Sequence, residues 1–212
     1  MPLIVFEGLD GSGKSSLMSA LEQELKIKNT PCLRTREPGG TKLGDEIREI
    51  ILRTEGASPT ARTELLLYEA SRAQHVDEVI RPHLQKKYWI LCDRFTASSI
   101  AFQAGGRSIS EEWVEQLNHF ATDGVSADLT VLLDLSVEES RKRRSQRESM
   151  SGSRQDRIES EADSFHERVR SSFLAQANQN PDRWLVLDAS QTPEVLIEKL
   201  KNYIRSLGWQ GY

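Results

Sequence analysis

Between Leu3 and Leu25 an apolar run, a glycine-rich turn and a helical repeat follow in direct succession, and this order limits the fold more than any other stretch. Leu3, Ile4, Val5 and Phe6 alternate with no polar residue, the pattern of a strand buried on both faces of a parallel sheet. The following Gly8-Leu9-Asp10-Gly11-Ser12-Gly13-Lys14-Ser15 fits G-x-x-x-x-G-K-[ST]. Successive backbone N–H groups curl around a polyphosphate only where Cβ atoms are missing, which the glycines provide. Gly8 through Ser16, with Leu9, Asp10, Gly11, Ser12, Gly13, Lys14 and Ser15, is therefore the candidate ATP-binding stretch. Lys14 would reach the β and γ phosphates. The Ser15 hydroxyl would hold Mg²⁺, and a helix from about Ser16, carrying Leu17, Leu21 and Leu25, would aim its N-terminus at the anion.

Further apolar runs at Pro31–Thr35, Tyr88–Cys92, Leu129–Leu135 and Trp184–Leu187 alternate with amphipathic helical segments, the last over Pro193–Gly208. Strand and helix in alternation predict an α/β fold: three layers, α/β/α, about a central parallel five-stranded sheet, in one domain spanning residues 1–212. In such sheets ligands bind beyond the carboxyl ends of the strands. A net charge of −4 argues against nucleic acid or an anionic membrane as partner. The two cysteines, Cys32 and Cys92, have no metal-type spacing and read as buried reduced thiols of a cytoplasmic protein. The four histidines likewise show no ligand spacing and suit surface or core-edge positions. With no basic-then-apolar leader and no long apolar stretch, neither export nor membrane insertion is expected.

The residues that follow each strand are polar. Arg36-Glu37-Pro38-Gly39-Gly40-Thr41 is a turn that serves either as a plain connection or to set Arg36 and Glu37 at the mouth of a site. Asp93 and Arg94 come directly after a buried strand, where the carboxylate would hold a metal's water shell and the guanidinium would grip a phosphate. Glu64–Gln74 reads as helix, with Tyr68 and Arg72 on one face. Two roles remain open there: a ring and a guanidinium for a planar base, or a rim tyrosine beside an Arg72–Glu69 ion pair. Ser98 with Phe102, and Ser99 with Gln103, form i, i+4 pairs that would line the same pocket. From Val137 to Phe165 arginines alternate with acidic residues around a Ser149–Ser153 break. That stretch is either a solvated helix pair or a mobile lid, over about residues 141–163, that closes over ATP and excludes water.

The segments FEGLDGSGKSS, TREPGGT, LLLYEASRAQHVDEVIRP, DRFTASSIAFQAGGR and DRIESE together resemble the thymidylate kinase family across nearly the whole chain. The resemblance implies a P-loop NTPase fold with a helical lid, and the reaction of ATP and dTMP, with Mg²⁺, to ADP and dTDP on the route to dTTP for DNA replication. It implies that Asp10 contacts the deoxyribose 3′-hydroxyl, Tyr68 stacks on the base and Arg72 contacts thymine. Arg94 would grip the acceptor phosphate, with Arg36, Ser98, Ser99, Phe102 and Gln103 completing the dTMP site. The family usually has tyrosine at Phe102, beside the sugar. A phosphate loop with Gly11-Ser12 and no arginine is similar to the bacterial type, whose catalytic arginines lie in the lid, so Arg147 and Arg154 join Lys14 and Arg94 as catalytic candidates. Asp156, Arg157 and Glu159 match the lid's end, and Glu159 joins Ser15 and Asp93 as a metal candidate. A homodimer is also implied. Two rivals follow from the residues: a deoxynucleoside kinase with Glu37 as base, and a P-loop switch that hydrolyses nucleotide slowly.

Overall fold

The computed structural model describes residues 1–152, 155–209 and 212, the Ser151 side chain aside. Strands β1 (Leu3–Glu7), β2 (Cys32–Arg36), β3 (Trp89–Asp93), β4 (Leu129–Asp134) and β5 (Trp184–Asp188) form one parallel sheet in the order β2-β3-β1-β4-β5. Each lies within a residue of its expected bounds. The apolar composition of β1, β3 and β4 follows from burial on both faces, so side chains of one strand feed two cores, whereas the edge strands β2 and β5 are partly exposed. Ile4 and Phe6 point to a cluster with Leu17, Met18, Leu21 and Leu25 of α1 (Lys14–Ile27) and Leu196, Leu200 and Ile204 of α9 (Pro193–Ser206). Leu3 and Val5 point the other way, to Val76, Ile80 and Phe95.

The second face is also covered by α8 (Asp163–Gln179), whose Phe165, Val169 and Phe173 pack on Ala97, Ala101 and Phe102. Between β2 and β3 come α2 (Lys42–Leu52), α3 (Ala61–His75), a π-helical turn at Val76–Ile80 and α4 (Arg81–Gln85). After β3, α5 (Thr96–Ser99) opens into a second π turn, Ile100–Gly106, before α6 (Glu111–Thr122). The π turns were not expected; they widen the helix locally just where Phe102 and Gln103 sit.

Register sets the site. Phe6 of β1 aligns with Asp93 and Val131, and Arg36 of β2 aligns with Asp93, so β1, β2 and β3 end level. The loops after them, Gly8–Gly13, Glu37–Thr41 and Arg94-Phe95, therefore share one edge.

The charged stretch after β4 begins with α7 (Val137–Ser151), capped where the Ser136 hydroxyl accepts from the Glu139 N–H at 3.3 Å. The helix continues through Ser149 and Met150, so the expected break at Ser149–Ser153 starts later. Gly152, at φ +68°, ends it and donates its N–H to the Glu148 carbonyl at 3.0 Å. Serines lower helix propensity only slightly, whereas the left-handed stop requires the glycine. Ser153 and the catalytic candidate Arg154 lie outside the described residues.

Candidate active site

The phosphate loop is wedged between β4 and α7. A Cβ on Gly8, at φ +134°, would stand 2.5 Å from the Leu133 carbonyl oxygen, so only glycine fits. Helix α1 starts at Lys14, two residues before the expected start, and Gly13 at its N-cap brings no side-chain cap. Its first N–H groups are thus left for an anion. Lys14 is buried and donates to the carbonyls of Gly8 (3.1 Å) and Leu9 (3.2 Å), with Asp10 Oδ1 at 3.6 Å. Burial and the nearby Arg94 lower its pKa.

One cleft opens over this loop and is lined by Asp10, Gly11, Gly13, Lys14, Ser15 and Ser16, with Asp93, Arg36, Arg143 and Arg147 on its walls. The second lies under Tyr68 and Phe102, beside Ser98, Ser99, Gln103 and Leu52. Asp10, Glu37, Arg48 and Arg94 line both.

Arg94 joins the two clefts. Its Nη2 donates to Asp10 Oδ1 at 2.9 Å and its Nη1 to the Ser98 hydroxyl at 3.3 Å, while its guanidinium lies 4.9 Å over the Phe102 ring. Against the cost of burial, Arg94 and Lys14 hold the Asp10 carboxyl well below the usual range. Beneath them sits Glu7, fully buried at the end of β1, accepting from the Phe95 N–H (3.0 Å) and the Ser98 hydroxyl (2.7 Å), with Arg94 Nη1 at 3.7 Å. Burial pushes its pKa up to about 7 although Arg94 opposes the shift.

Tyr68, Ser98, Ser99, Phe102 and Gln103 are brought together in the second cleft; Arg72 and Arg36 are not. Arg72 is buried behind the wall, donating to Glu37 (2.8 Å), Glu69 (2.6 Å), Ser99 (3.0 Å), the Phe95 carbonyl (3.1 Å) and Asn118. That network accounts for its burial, since a guanidinium this deep needs carboxylates around it. The Glu69 ion pair of the plainer alternative is present, within a larger network. His75 also differs from a surface or edge position, being buried with Nδ1 2.9 Å from Glu37 Oε1. Arg36 pairs with Asp45 at 2.8 Å and opens on the phosphate-loop cleft instead.

The metal candidates divide. Ser15 and Asp93 line one cleft, and the buried Asp93 Oδ1 has no hydrogen-bond partner, as suits an oxygen meant for a cation or its water. Glu159 does not join them. Both its carboxylate oxygens accept from Arg147 Nη2, at 2.6 and 2.8 Å, and it lines neither cleft. Among the described residues no group of three acidic, histidine or cysteine side chains converges on a metal position.

Sequence reasoning missed Glu7, Arg48 and Arg143. Arg48 donates to the Pro38 carbonyl (3.1 Å), and Arg143 to the carbonyls of Gly11 (3.4 Å) and Ala189 (3.1 Å). For Glu7 the signal existed: a carboxylate that ends a buried strand, as Asp93 does. Nothing in an amphipathic α2 singled out Arg48.

The family model described as thymidylate kinase matches residues 6–200. A thymidylate kinase of Bdellovibrio bacteriovorus is 67% identical over 200 residues, covering 94% of each chain. One from a Cyanothece species is 42% identical over 99% of this chain and 96% of its own. Another, from Pelotomaculum thermopropionicum, is 45% identical over 91% and 88%.

Proposed function

Since the chain belongs to the thymidylate kinase family, we propose that it transfers the γ-phosphoryl group of ATP to dTMP in the two joined clefts, giving ADP and dTDP for dTTP synthesis. The observation that carries this reading is the position of Arg94, which lines both clefts and is flanked by Asp10 and Phe102. A cation between two anion sites fits a reaction that joins two phosphates.

A phosphate oxygen of dTMP forms a bond to the γ-phosphorus as the bond to the β,γ-bridging oxygen breaks, its electron pair leaving with ADP. The acceptor's second pKa is near 6, so it is largely dianionic at neutral pH and needs no base. Lys14 and the first turn of α1 bind the donor phosphates, Arg94 holds the acceptor in line, and Tyr68 and Phe102 sandwich the base and sugar. Arg147, and Arg154 on the lid over about 141–163, neutralise the transferred group. Ser15 and Asp93 would hold Mg²⁺, which offsets phosphate charge when bound. Asp10 takes the sugar 3′-hydroxyl. Glu37, the base of the nucleoside-kinase rival, already accepts from Arg72 and His75 and has little freedom to remove a proton.

The reading includes a cytoplasmic homodimer of single-domain subunits. Among the described residues no helix is long and apolar enough to cross a membrane. Leu66 on α3 and Trp113 and Phe120 on α6 are 56%, 63% and 82% exposed, on neighbouring helices, the last two seven residues apart on one face. A second copy covering this patch would remove it from water. The test is ADP formation from ATP and Mg²⁺ with dTMP, thymidine, dUMP, dCMP or no acceptor. Dependence on dTMP with dTDP as product is expected. Turnover on thymidine would favour the nucleoside-kinase rival, and acceptor-independent turnover the switch.

A further inference from the structure

Glu64 of α3 has no part in the chemistry above and is 1% exposed, yet four donors converge on it. Its Oε1 accepts from Gln103 Nε2 at 3.0 Å and Arg107 Nε at 3.2 Å, and its Oε2 from Arg107 Nη2 at 3.1 Å and Arg157 Nη2 at 2.7 Å. Burial works against the charge, but Arg107, Gln103 and Arg157 hold the carboxyl below its usual range, so it is ionised at neutral pH.

An ionised carboxylate only accepts. Gln103 must therefore turn its Nε2 toward Glu64, which leaves Oε1 on the opposite side of the amide. Gln103 lines the acceptor cleft, and among the described residues no donor reaches Oε1. The neighbouring Ser99 hydroxyl is already used in both senses, donating to Glu69 at 2.9 Å and accepting from Arg72 at 3.0 Å. What the amide shows to a base is thus set from behind the pocket.

Building on the reading of the chain as a dTMP kinase, we infer that Glu64 is a positioning residue for base specificity: it fixes the Gln103 amide with its oxygen toward the cleft, selecting pyrimidines that carry an N3–H over those with an N3 lone pair. Thymine and uracil present that donor, whereas cytosine would set its N3 lone pair against Oε1. Two acceptors facing each other leave both unsatisfied.

The test compares kcat/KM for dTMP and dCMP at saturating ATP in the full-length protein. In Glu64→Gln the new amide can donate to Gln103 Oε1 and free Nε2 to turn toward the base. The dTMP preference should fall at least about tenfold, the equivalent of one buried unsatisfied group. Gln103→Met, which leaves the arginines paired, should lose the preference too. Arg157→Ala removes a partner of Glu64 without releasing the amide and should slow both substrates alike. If Glu64→Gln does not fold, Glu64→Gln/Arg107→Gln neutralises both ends of the ion pair and is read the same way. An unchanged dTMP to dCMP ratio in the Glu64 variant, or in Gln103→Met, overturns the inference. Failure of the unaltered protein to convert dTMP overturns the functional reading instead.

Discussion

Arg94 Nη2 and Asp10 Oδ1 lie 2.9 Å apart although 84 residues separate them in sequence. β1 and β3 are neighbours, and the pair closes the gap between their ends. In the proposed reaction this pair sets the guanidinium that would meet the acceptor phosphate beside the carboxylate that would take the sugar hydroxyl. The guanidinium is thereby kept extended, and little ordering entropy remains to be lost on binding.

Arg94→Ala should lower kcat/KM for dTMP by roughly 10²-fold through loss of a charge-assisted contact. The KM for ATP should change little, because Lys14 and the loop amides are untouched. Steady-state kinetics with each substrate varied separately decides the point. Equal loss toward ATP and dTMP would contradict the assignment.

Glu7 makes stability depend on pH. Its folded pKa, about 7, is raised above the ordinary value of 4.5, so the folded state binds more protons between them. Stability from this group is complete below 4.5 and is lost as pH rises through 7, by about 3 kcal/mol for a shift of this size. Glu7→Gln mimics the protonated form and should flatten the decline in melting temperature between pH 5 and about 8. A parallel pH profile in the variant would show that Glu7 does not titrate there.

Arg147→Ala should lower kcat by roughly 10²-fold or more while dTMP binding is kept, if the guanidinium leaves Glu159 for the transferring group. Single-turnover measurements with and without excess ATP separate the phosphoryl-transfer step from product release. A variant with normal kcat would restrict Arg147 to its ion pair.

Gly8→Ala should cost about 2–3 kcal/mol of stability, since the added methyl meets a strand carbonyl and forces φ out of a region closed to alanine. Thermal unfolding measures the cost. ATP titration of the surviving folded fraction should show weakened binding as well.

The strands and the phosphate loop were legible because each is written locally: apolar runs mark buried strands, and a cradle for phosphate needs its glycines in a row. Arg94 was legible for a related reason, as the position after a buried strand is where this architecture exposes chemistry. The partners of Arg72 and Glu159 were not legible, because a charged residue's sequence neighbours do not disclose which buried opposite charge it will meet. Glu37 and Arg72 are 35 residues apart, and only the packing of α3 against the end of β2 joins them. Glu64 is hidden for the same reason, because an acidic residue in the first turn of a helix gives no sign of the arginines that meet it.

The level ends of β1, β2 and β3 also make the enzyme divisible. Lys14, Ser15 and the loop amides spring from β1 and its helix, whereas Tyr68, Leu52 and Glu64 arrive on one excursion between β2 and β3, which Arg72 ties to Phe95, Ser99 and Asn118 and Glu64 ties to Gln103, Arg107 and Arg157. That excursion can be exchanged only together with the partners it bonds, since Arg72 reaches Glu37 and the Phe95 carbonyl and Arg48 lines both clefts. Acceptor choice is therefore open to change by grafting residues 42–85 with matching changes at Ser99, Phe102, Gln103, Arg107, Asn118 and Arg157, while Lys14 and the phosphate loop stay as they are.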